Sequence, residues 1–404
     1  MRVIVIGAGA AGLVAAYSAK LNGNDVVIIE KNHRPARKVM ITGKGRCNVT
    51  NNCDVKDFIS NVPRNARFLY SSVSRFSPSD TMDFIQSQGV ELKTERGNRV
   101  FPVSDKAVDI VDALYKSCNG CSFIFDTTVK NINVTDGAVR GVTLDNGRVI
   151  EGDSVIVATG GASYSLTGST GDGYKFARSV GHTVVDVRPS LVPIESSDSF
   201  CSELSGLTLK NVGISIIKNG KTLYTDFGEM LFTHFGVSGP LILSASSNID
   251  DPKGCVLSID LKPALDSDKL TERLKRDVAE NINKNIANIM PKLVPSSMCR
   301  IILAKANVDG DTKCNQLTAQ MRSDICNTLK NFEVKLSSFR PIDEAIITRG
   351  GVDVSQIDPK TMQSKLCSGL YFVGEVLDVD GYTGGFNLQI AFSTGYTAGK
   401  SQEE

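Results

Sequence analysis

Arg2-Val3-Ile4-Val5-Ile6-Gly7-Ala8-Gly9-Ala10-Ala11-Gly12, followed by a helical stretch from Leu13 to Leu21, the apolar run Val26-Val27-Ile28-Ile29 and then Glu30, decides how this chain folds. A short β-branched run, a G-x-G-x-x-G turn, a helix, a second strand and an acid about 20 residues on form the dinucleotide-binding fingerprint. Gly7 permits the tight turn and Gly9 lets backbone approach a pyrophosphate. Gly12 lets helix and strand pack closely, with the helix N-terminus facing the phosphates. Glu30 can accept hydrogen bonds from a ribose diol, which favours FAD or NAD over NADP at this position.

Working outward, 404 residues at 41% hydrophobic predict two or three domains with ample core material. Lys plus Arg total 45 against 44 Asp plus Glu, so the formal charge of +1 gives no general field for nucleic acid or an anionic membrane. The 10 cysteines are scattered, as expected of free thiols in a reducing cytoplasm. Val3 to Ala16 superficially matches a signal-peptide core, yet its glycines are spaced for the turn and cleavage there would remove the site. No apolar run is long enough to span a bilayer.

Lys31, Arg34, Arg37, Lys38, Lys44 and Arg46 form a basic segment without an intervening acid, directly after the strand that ends on the ribose acid. Its glycines at Gly43 and Gly45 suit backbone lying flat against a planar ligand, so a cofactor loop is expected. Phe58 to Gly89 reads as helical with a break at Phe76 to Asp80, and Lys106 to Cys118 as a further helix. Strands at Ser122 to Phe125, Val129 to Val134, Ala138 to Leu144 and Arg148 to Ile150, with Asp136-Gly137 and Asn146-Gly147 as turns, predict an antiparallel meander. Ser154 to Ala158 then returns to a buried parallel sheet and runs into Thr159-Gly160-Gly161.

After Pro189 the composition shifts to short strands separated by glycines up to Leu261, including Gly213 to Ile217 and Thr222 to Tyr224. Leu270, Leu274, Val278, Ile282 and Ile286 recur at i,i+4 and predict one amphipathic helix, with others at Ser296 to Ala306 and Gln316 to Leu329. The last segment carries a buried strand, Gly369 to Val373, then Gly374-Glu375, and a helix from Phe386 to about Lys400. That late helix N-terminus suits the far end of a large cofactor, where its dipole would stabilise negative charge on a reduced flavin. The expected architecture is α/β: a Rossmann-like FAD-binding domain of parallel sheet plus β-meander, residues 1–190 and 338–404, interrupted by a β-barrel-like domain at 191–265 and a helical domain at 266–337.

With Gly7 to Gly12, Gly43 to Asn51, Ala158 to Gly161, Gly168 to Tyr174, His234 to Pro240, Thr348 to Val352 and Gly374 to Gln389 in view, the chain resembles the BaiN/RdsA (YhiN-like) family of NAD(P)/FAD-dependent oxidoreductases. Lys44 departs from it, standing where a further glycine is expected. The resemblance implies a flavoprotein with the inserted lobe over the flavin, and reductase chemistry like that of relatives acting on carbon-carbon double bonds of 3-oxo bile acids. Together with the residue reading it implies FAD contacts at Gly7, Gly9, Ala10, Ala11, Gly12, Glu30, Lys31, Arg37, Lys38, Gly43, Gly45, Arg46, Cys47, Asn48, Val129, Ala158, Thr159, Gly160, Gly161, Gly374, Glu375, Gly385, Phe386, Asn387, Leu388 and Gln389.

The expected function is passage of hydride from NAD(P)H through flavin N5 to a small organic acceptor such as an enone, with no metal, nucleic acid or membrane required. Because no second G-x-G-x-x-G follows, NAD(P)H is expected to bind transiently. Enone reduction needs a donor near the carbonyl oxygen and a proton for the α carbon; Arg46, Arg99, Tyr164, His234 and Arg349 are the candidates, each also admitting a structural role. Two alternatives remain. Cys47 near the flavin suggests a disulfide reductase, although Cys47 and Cys53 lack the C-x4-C spacing. The basic segment suggests a non-catalytic flavin- or nucleotide-sensing module that binds RNA, although no aromatic-interleaved basic stripe accompanies it. Cys118-Asn119-Gly120-Cys121 has no second pair to complete a zinc site and reads as incidental.

Overall fold

In the computed structural model, which describes residues 1–402, Arg2–Ile6 is the middle strand of a five-stranded parallel sheet. The order is Leu370–Phe372, Ser154–Val157, Arg2–Ile6, Asp25–Ile29, Ser122–Ile124. Near-continuous β-branched and aliphatic residues make these strands suitable for burial on both faces. The register aligns Ile6 with both Ile29 and Val157, and Val157 with Phe372. Gly7, Glu30, Ala158 and Val373 therefore leave the sheet together at its carboxyl edge, where open α/β sheets bind ligands.

Ser122–Ile124 corrects one expectation, since it joins this sheet beside Val27–Ile29 rather than the meander. The meander holds only Val129–Thr135, Ala138–Leu144 and Val149–Glu151, the strands that the two Gly-containing turns can connect. The helical stretch after Phe58 resolves into Val55–Ser60, Ala66–Arg75 and Pro78–Ser87, the last started by Ser77 and Asp80 in a reciprocal capping box.

The first helix, Ala10–Leu21, packs along the last, Phe386–Lys400. Contact is close because Gly395 and Gly399 face the first helix: a Cβ at Gly395 would lie 2.3 Å from the Ala11 carbonyl oxygen, and one at Gly399 2.2 Å from that of Ala15. The Ser18 hydroxyl donates to the Tyr396 carbonyl at 2.9 Å across the same seam. Both helices start at the sheet edge that carries Gly7 and Val373, so their separation sets the width of the site between their N-termini.

Met1–Ser190 and the stretch from Pro341 form one compact unit, and Leu191–Arg340 forms another. The second contains a closed six-stranded barrel, ordered Ile194–Ser196, Gly236–Ser238, Lys221–Thr233, Thr208–Lys218, Cys255–Asp260 and Phe332–Phe339. Its strands are longer than expected: Thr208–Lys218 and Lys221–Thr233 make one long hairpin about Asn219-Gly220. Gly213 and Gly228 lie within the strands and do not end them; Gly228 faces Leu241 of a covering helix. Barrel and helices share one core, in which Leu270, Leu274, Ile325 and Leu329 join Phe332, Val334 and Ile259.

The i,i+4 helix is also shorter than its pattern. It spans Ser267–Ala279, leaving Ile282 at 50% exposure and Ile286 in a 3-10 turn. Asn281, Asn283 and Asn285 interrupt it, and the Asn281 amide donates back to the Asp277 carbonyl at 2.8 Å. No helix among the described residues is long and apolar enough to cross a membrane.

Gly395→Ala tests the helix seam. Helix propensity alone would stabilise the variant by about 1 kcal/mol, whereas overpacking typically costs about 1–3 kcal/mol; with backbone as the obstacle, overpacking wins. Urea unfolding should therefore show a lower midpoint, and a raised midpoint would refute the close approach.

Candidate functional site

A cleft opens at the carboxyl edge of the parallel sheet, within the first unit. Its base is backbone and small side chains: Gly7, Gly9, Ala10 and Ala11 from the first strand and helix, and Ala158, Thr159 and Gly160 from the end of Ser154–Val157. Gly12 does not line it but lies beneath it, where a Cβ would be 1.9 Å from the Gly7 carbonyl oxygen. Gly9 is the opposite case, since a Cβ there would meet nothing within 4 Å. That open space over a helix N-terminus, whose first amides lack intrahelical partners, fits a pyrophosphate. The Thr159 hydroxyl is covered beside Gly173 and has no hydrogen-bond partner in the protein.

Glu30 stands at one end, only 8% exposed. Its Oε2 accepts from the Ala8 N–H at 2.8 Å, and its Oε1 accepts from the Asn32 backbone N–H at 2.9 Å and from the Asn32 amide at 2.6 Å. Arg37 fixes Asn32 in turn, donating to its Oδ1 at 2.7 Å. A carboxylate has about four lone-pair sites, so Glu30 retains acceptor capacity for a diol. On the same side Lys31 donates to Thr170 and to Asp172, each at 2.6 Å. Burial alone would raise the Asp172 carboxyl, but the bonds from Lys31 and Thr170 and the Lys31 charge hold it down at about 2.

A second acid-base pair stands at Lys38 and Glu375, both lining the cleft. Lys38 donates to Glu375 at 2.7 and 3.0 Å and to Ser163 at 2.6 Å. The Thr348 N–H donates to the same carboxylate at 2.8 Å, and the Thr348 hydroxyl accepts from the Ala162 and Ser163 amides at 2.8 and 3.1 Å. This network ties four chain segments together and holds a carboxylate and an ammonium in a wall otherwise lined by Ile346, Ile347, Leu388 and Ile390. Donors, acceptors and apolar walls together fit a long dinucleotide.

The structure distributes the expected contacts as follows. Gly7, Gly9, Ala10, Ala11, Glu30, Lys31, Arg37, Lys38, Val129, Ala158, Thr159, Gly160, Glu375, Asn387 and Leu388 line the cleft. Gly12, Gly43, Gly45, Arg46, Cys47, Asn48, Gly161, Gly374, Gly385, Phe386 and Gln389 do not. Several of these are supports. Gln389, fully buried, accepts from the Thr50 hydroxyl at 2.7 Å and donates to the Phe76 carbonyl at 3.0 Å. Asn48, with its amide oriented by its neighbours, donates to the Thr50 and Val100 carbonyls and accepts from the Gly385 N–H at 3.0 Å, joining the basic segment to the start of the last helix.

Among the catalytic candidates, Arg46 bonds Glu95 and Asp105 and lies over the Phe101 ring, so its charge is engaged outside the cleft lining. Arg99 is exposed and donates to the Arg96 carbonyl at 3.0 Å. Arg349 stands opposite Arg188 in a two-stranded ladder. His234 is exposed at a turn of the second unit, edge-on to Phe235. Tyr164 stays close to the cleft lining, its ring 5.9 Å from the Lys38 ammonium. Burial, helped by the Glu344 charge, raises its phenol. Cys47 is fully buried, its thiol pushed up to about 12 by burial, and no cysteine among the described residues lines the cleft.

Sequence reading missed Asn32, Thr42, Thr167, Ser169, Ile346 and Ile347 of the lining. Asn32 carried a local signal, being next but one to the ribose acid, and Ser169 stood within the Gly168 to Tyr174 motif. It also missed Asp380, buried behind Val379, which itself lines the cleft. One Asp380 oxygen accepts from the Ser190 hydroxyl at 2.9 Å and the other has no hydrogen-bond partner. Burial lifts its carboxyl to about 6, against the pull of the Arg64 charge and the Ser190 bond.

The family model described as HI0933-like protein Rossmann domain matches residues 1–401. The chain belongs to that family. It is 31% identical to a ribosomal RNA dihydrouridine synthase of Escherichia coli, over 97% of this chain and 96% of the relative. It is 28% identical to a 3-dehydro-bile acid delta(4,6)-reductase of Clostridium scindens, over 100% of this chain and 99% of the relative. The structure of 3-ketosteroid delta1-dehydrogenase from Sterolibacterium denitrificans matches with a TM-score of 0.50 at 11% identity over 98% of each chain, a likeness of fold.

Two outcomes are expected. Glu30→Gln should weaken FAD binding about 10- to 100-fold, the worth of one hydrogen bond to a charged group, and leave turnover of the loaded protein nearly unchanged; equilibrium binding beside loaded-enzyme kinetics decides, and the reverse pattern would misplace Glu30. For Asp380 the folded value lies above the unfolded one, so its contribution is present at low pH and is lost as pH rises from 3.8 through about 6. Asp380→Asn should thus raise the melting temperature at pH 8 but not at pH 4, and an equal shift at both would remove the titration as its cause.

Proposed function

We propose that this chain is an FAD-dependent oxidoreductase, specifically a reductase that moves hydride from NAD(P)H to a carbon-carbon double bond conjugated with a carbonyl group. The observation that carries this reading is the cleft, where a backbone cradle for a pyrophosphate lies beside Glu30 and a second polar cluster stands at Lys38 and Glu375. Such a site suits a cofactor with two ends. When bound, FAD supplies a two-electron carrier between donor and acceptor.

The chain's own residues do the rest. Glu30, held by Asn32 and Ala8, would orient the adenosine ribose, and the first helix would meet the phosphates. Lys38 and Glu375, fixed by Ser163 and Thr348, would orient the far end, while Ile346, Ile347 and Leu388 exclude water there. Tyr164 keeps its proton at neutral pH and stands beside Lys38, which makes it our candidate donor of the proton that completes the reduction.

The names of the two relatives support this class, because each describes a reduction of one chemical kind. A dienone gains hydrogen across a double bond in conjugation with its ketone, and uridine becomes dihydrouridine by gaining hydrogen across the double bond conjugated with its ring carbonyl. The expected acceptor is therefore a small enone. A uracil base within RNA is a second reading, favoured by the 31% identity to the Escherichia coli relative. If RNA binds, three cations of the segment after Glu30 are already engaged, Lys31 with Asp172, Lys38 with Glu375, and Arg46 with Glu95 and Asp105, which leaves the exposed Arg34 and Lys44 to meet its backbone.

Anaerobic stopped-flow absorbance of the flavin-loaded protein tests the proposal. NADH or NADPH should bleach the flavin, and a 3-keto-4-ene steroid or a uridine-containing ribosomal RNA fragment should restore the colour. Failure of every conjugated acceptor would refute the reductase assignment, and failure of both nicotinamides would refute the donor. Tyr164→Phe should slow the restoring step by about 100-fold, the usual worth of a positioned acid; a loss under about tenfold would remove Tyr164 from that role.

A further inference from the structure

A second chemical feature packs against the first helix. Cys118 follows the helix Ala107–Ser117 and Cys121 precedes the strand Ser122–Ile124. Between them the chain makes a tight turn: the Cys121 N–H donates to the Cys118 carbonyl at 3.0 Å, and Gly120 takes φ +85°. An i to i+3 turn brings its terminal Cα atoms within about 7 Å, and a disulfide spans about 4.4–6.8 Å between Cα atoms. The turn thus sets the two thiols on neighbouring positions of one loop. Both are free.

The two sulfurs are not equivalent. Cys118 is 1% exposed, and its Sγ donates to the Leu13 carbonyl of the first helix at 3.2 Å. Cys121 is half-buried and can be reached from solvent. Lys20 lies over the turn, its side chain so near that a Cβ at Gly120 would be 3.3 Å from Lys20 Cε and 3.8 Å from its Nζ. We propose that Cys118 and Cys121 are a dithiol that hydroperoxides oxidise to a disulfide, with Cys121 the attacking sulfur and Cys118 the resolving one. This site is separate from the cleft and does not depend on the identity of the acceptor reduced there.

The chemistry balances with hydrogen peroxide as the oxidant. The Cys121 thiolate attacks one peroxide oxygen, the O–O bond breaks, and hydroxide leaves to take up the proton that Cys121 lost. Cys118 sulfur then attacks the Cys121 sulfenic acid, forming the S–S bond and releasing water. Two thiols and one hydrogen peroxide give one disulfide and two waters. The hydrogen bond from Cys118 and then the Lys20 charge lower the Cys121 thiol, against burial and the Asp25 charge. The other nine cysteines are all raised. Closure removes the Cys118 S–H donor from Leu13, so the redox state is registered on the helix whose first turn lines the cleft.

Peptide mapping of the purified protein after a few equivalents of hydrogen peroxide tests this. A Cys118–Cys121 cross-link should form and be reversed by dithiothreitol. In Cys118→Ser, dimedone should trap a sulfenic acid on Cys121; in Cys121→Ser, Cys118 should stay unmodified. In the untreated wild type, iodoacetamide should label Cys121 at least about tenfold faster than Cys53, whose thiol burial pushes up to about 11, because the thiolate is the reacting form and the Cys121 thiol is held down. Absence of the wild-type cross-link, sulfenic acid on Cys118 in preference to Cys121, or labelling of Cys53 as fast as Cys121 would each overturn the proposal. The two wild-type readouts stand even if a variant fails to fold.

Discussion

The Gly7 carbonyl lies so near the first helix that only a hydrogen fits at Gly12, where a Cβ would be 1.9 Å from its oxygen. That contact brings the start of Ala10–Leu21 down onto the sheet edge and leaves the open space above Gly9. The parallel register does the rest, delivering Glu30, Ala158 and Val373 to the same edge. The last helix repeats the solution with Gly395 and Gly399. Close backbone contacts, more than individual side chains, therefore set the dimensions of the cleft. This is a packing constraint with a functional result.

A second principle is the pairing of charge around the cleft. Lys31 with Asp172 and Lys38 with Glu375 place cations beside the proposed cofactor without leaving them to collapse on one another. Each pair is anchored by further hydrogen bonds, from Thr170 in one case and Thr348 in the other. Preorganised pairs of this kind hold their geometry when a ligand displaces water. Arg46 follows the same logic beside Phe101, where two carboxylates hold it away from the cleft lining.

Much of the first unit was legible in the sequence because its signals are local. The strand, glycine turn and acid of Met1 to Glu30 fall within one βαβ unit, and the late helix from Phe386 starts where its preceding glycines end. Lining residues such as Ile346 and Ile347 were not legible, since only the pairing of Val184–Ser190 with Ile347–Val352 brings them to the cleft. Glycine misled in the barrel: short strands separated by glycines were expected, whereas Gly213 and Gly228 sit inside long ones. Periodicity misled at Ile282, where an apolar spacing continued past the end of the helix. Asp380 was invisible because its burial depends on Ser190, a residue far away in the chain.

The central claim is that the edge cleft between the two helix N-termini holds one FAD. Its most direct test is the flavin content of the purified protein, before and after incubation with FAD and with FMN. The account predicts one flavin per chain, released as FAD on denaturation, with FMN unable to replace it because Glu30 needs an adenosine ribose. A colourless protein that takes up neither, or one that binds FMN as well as FAD, would contradict it.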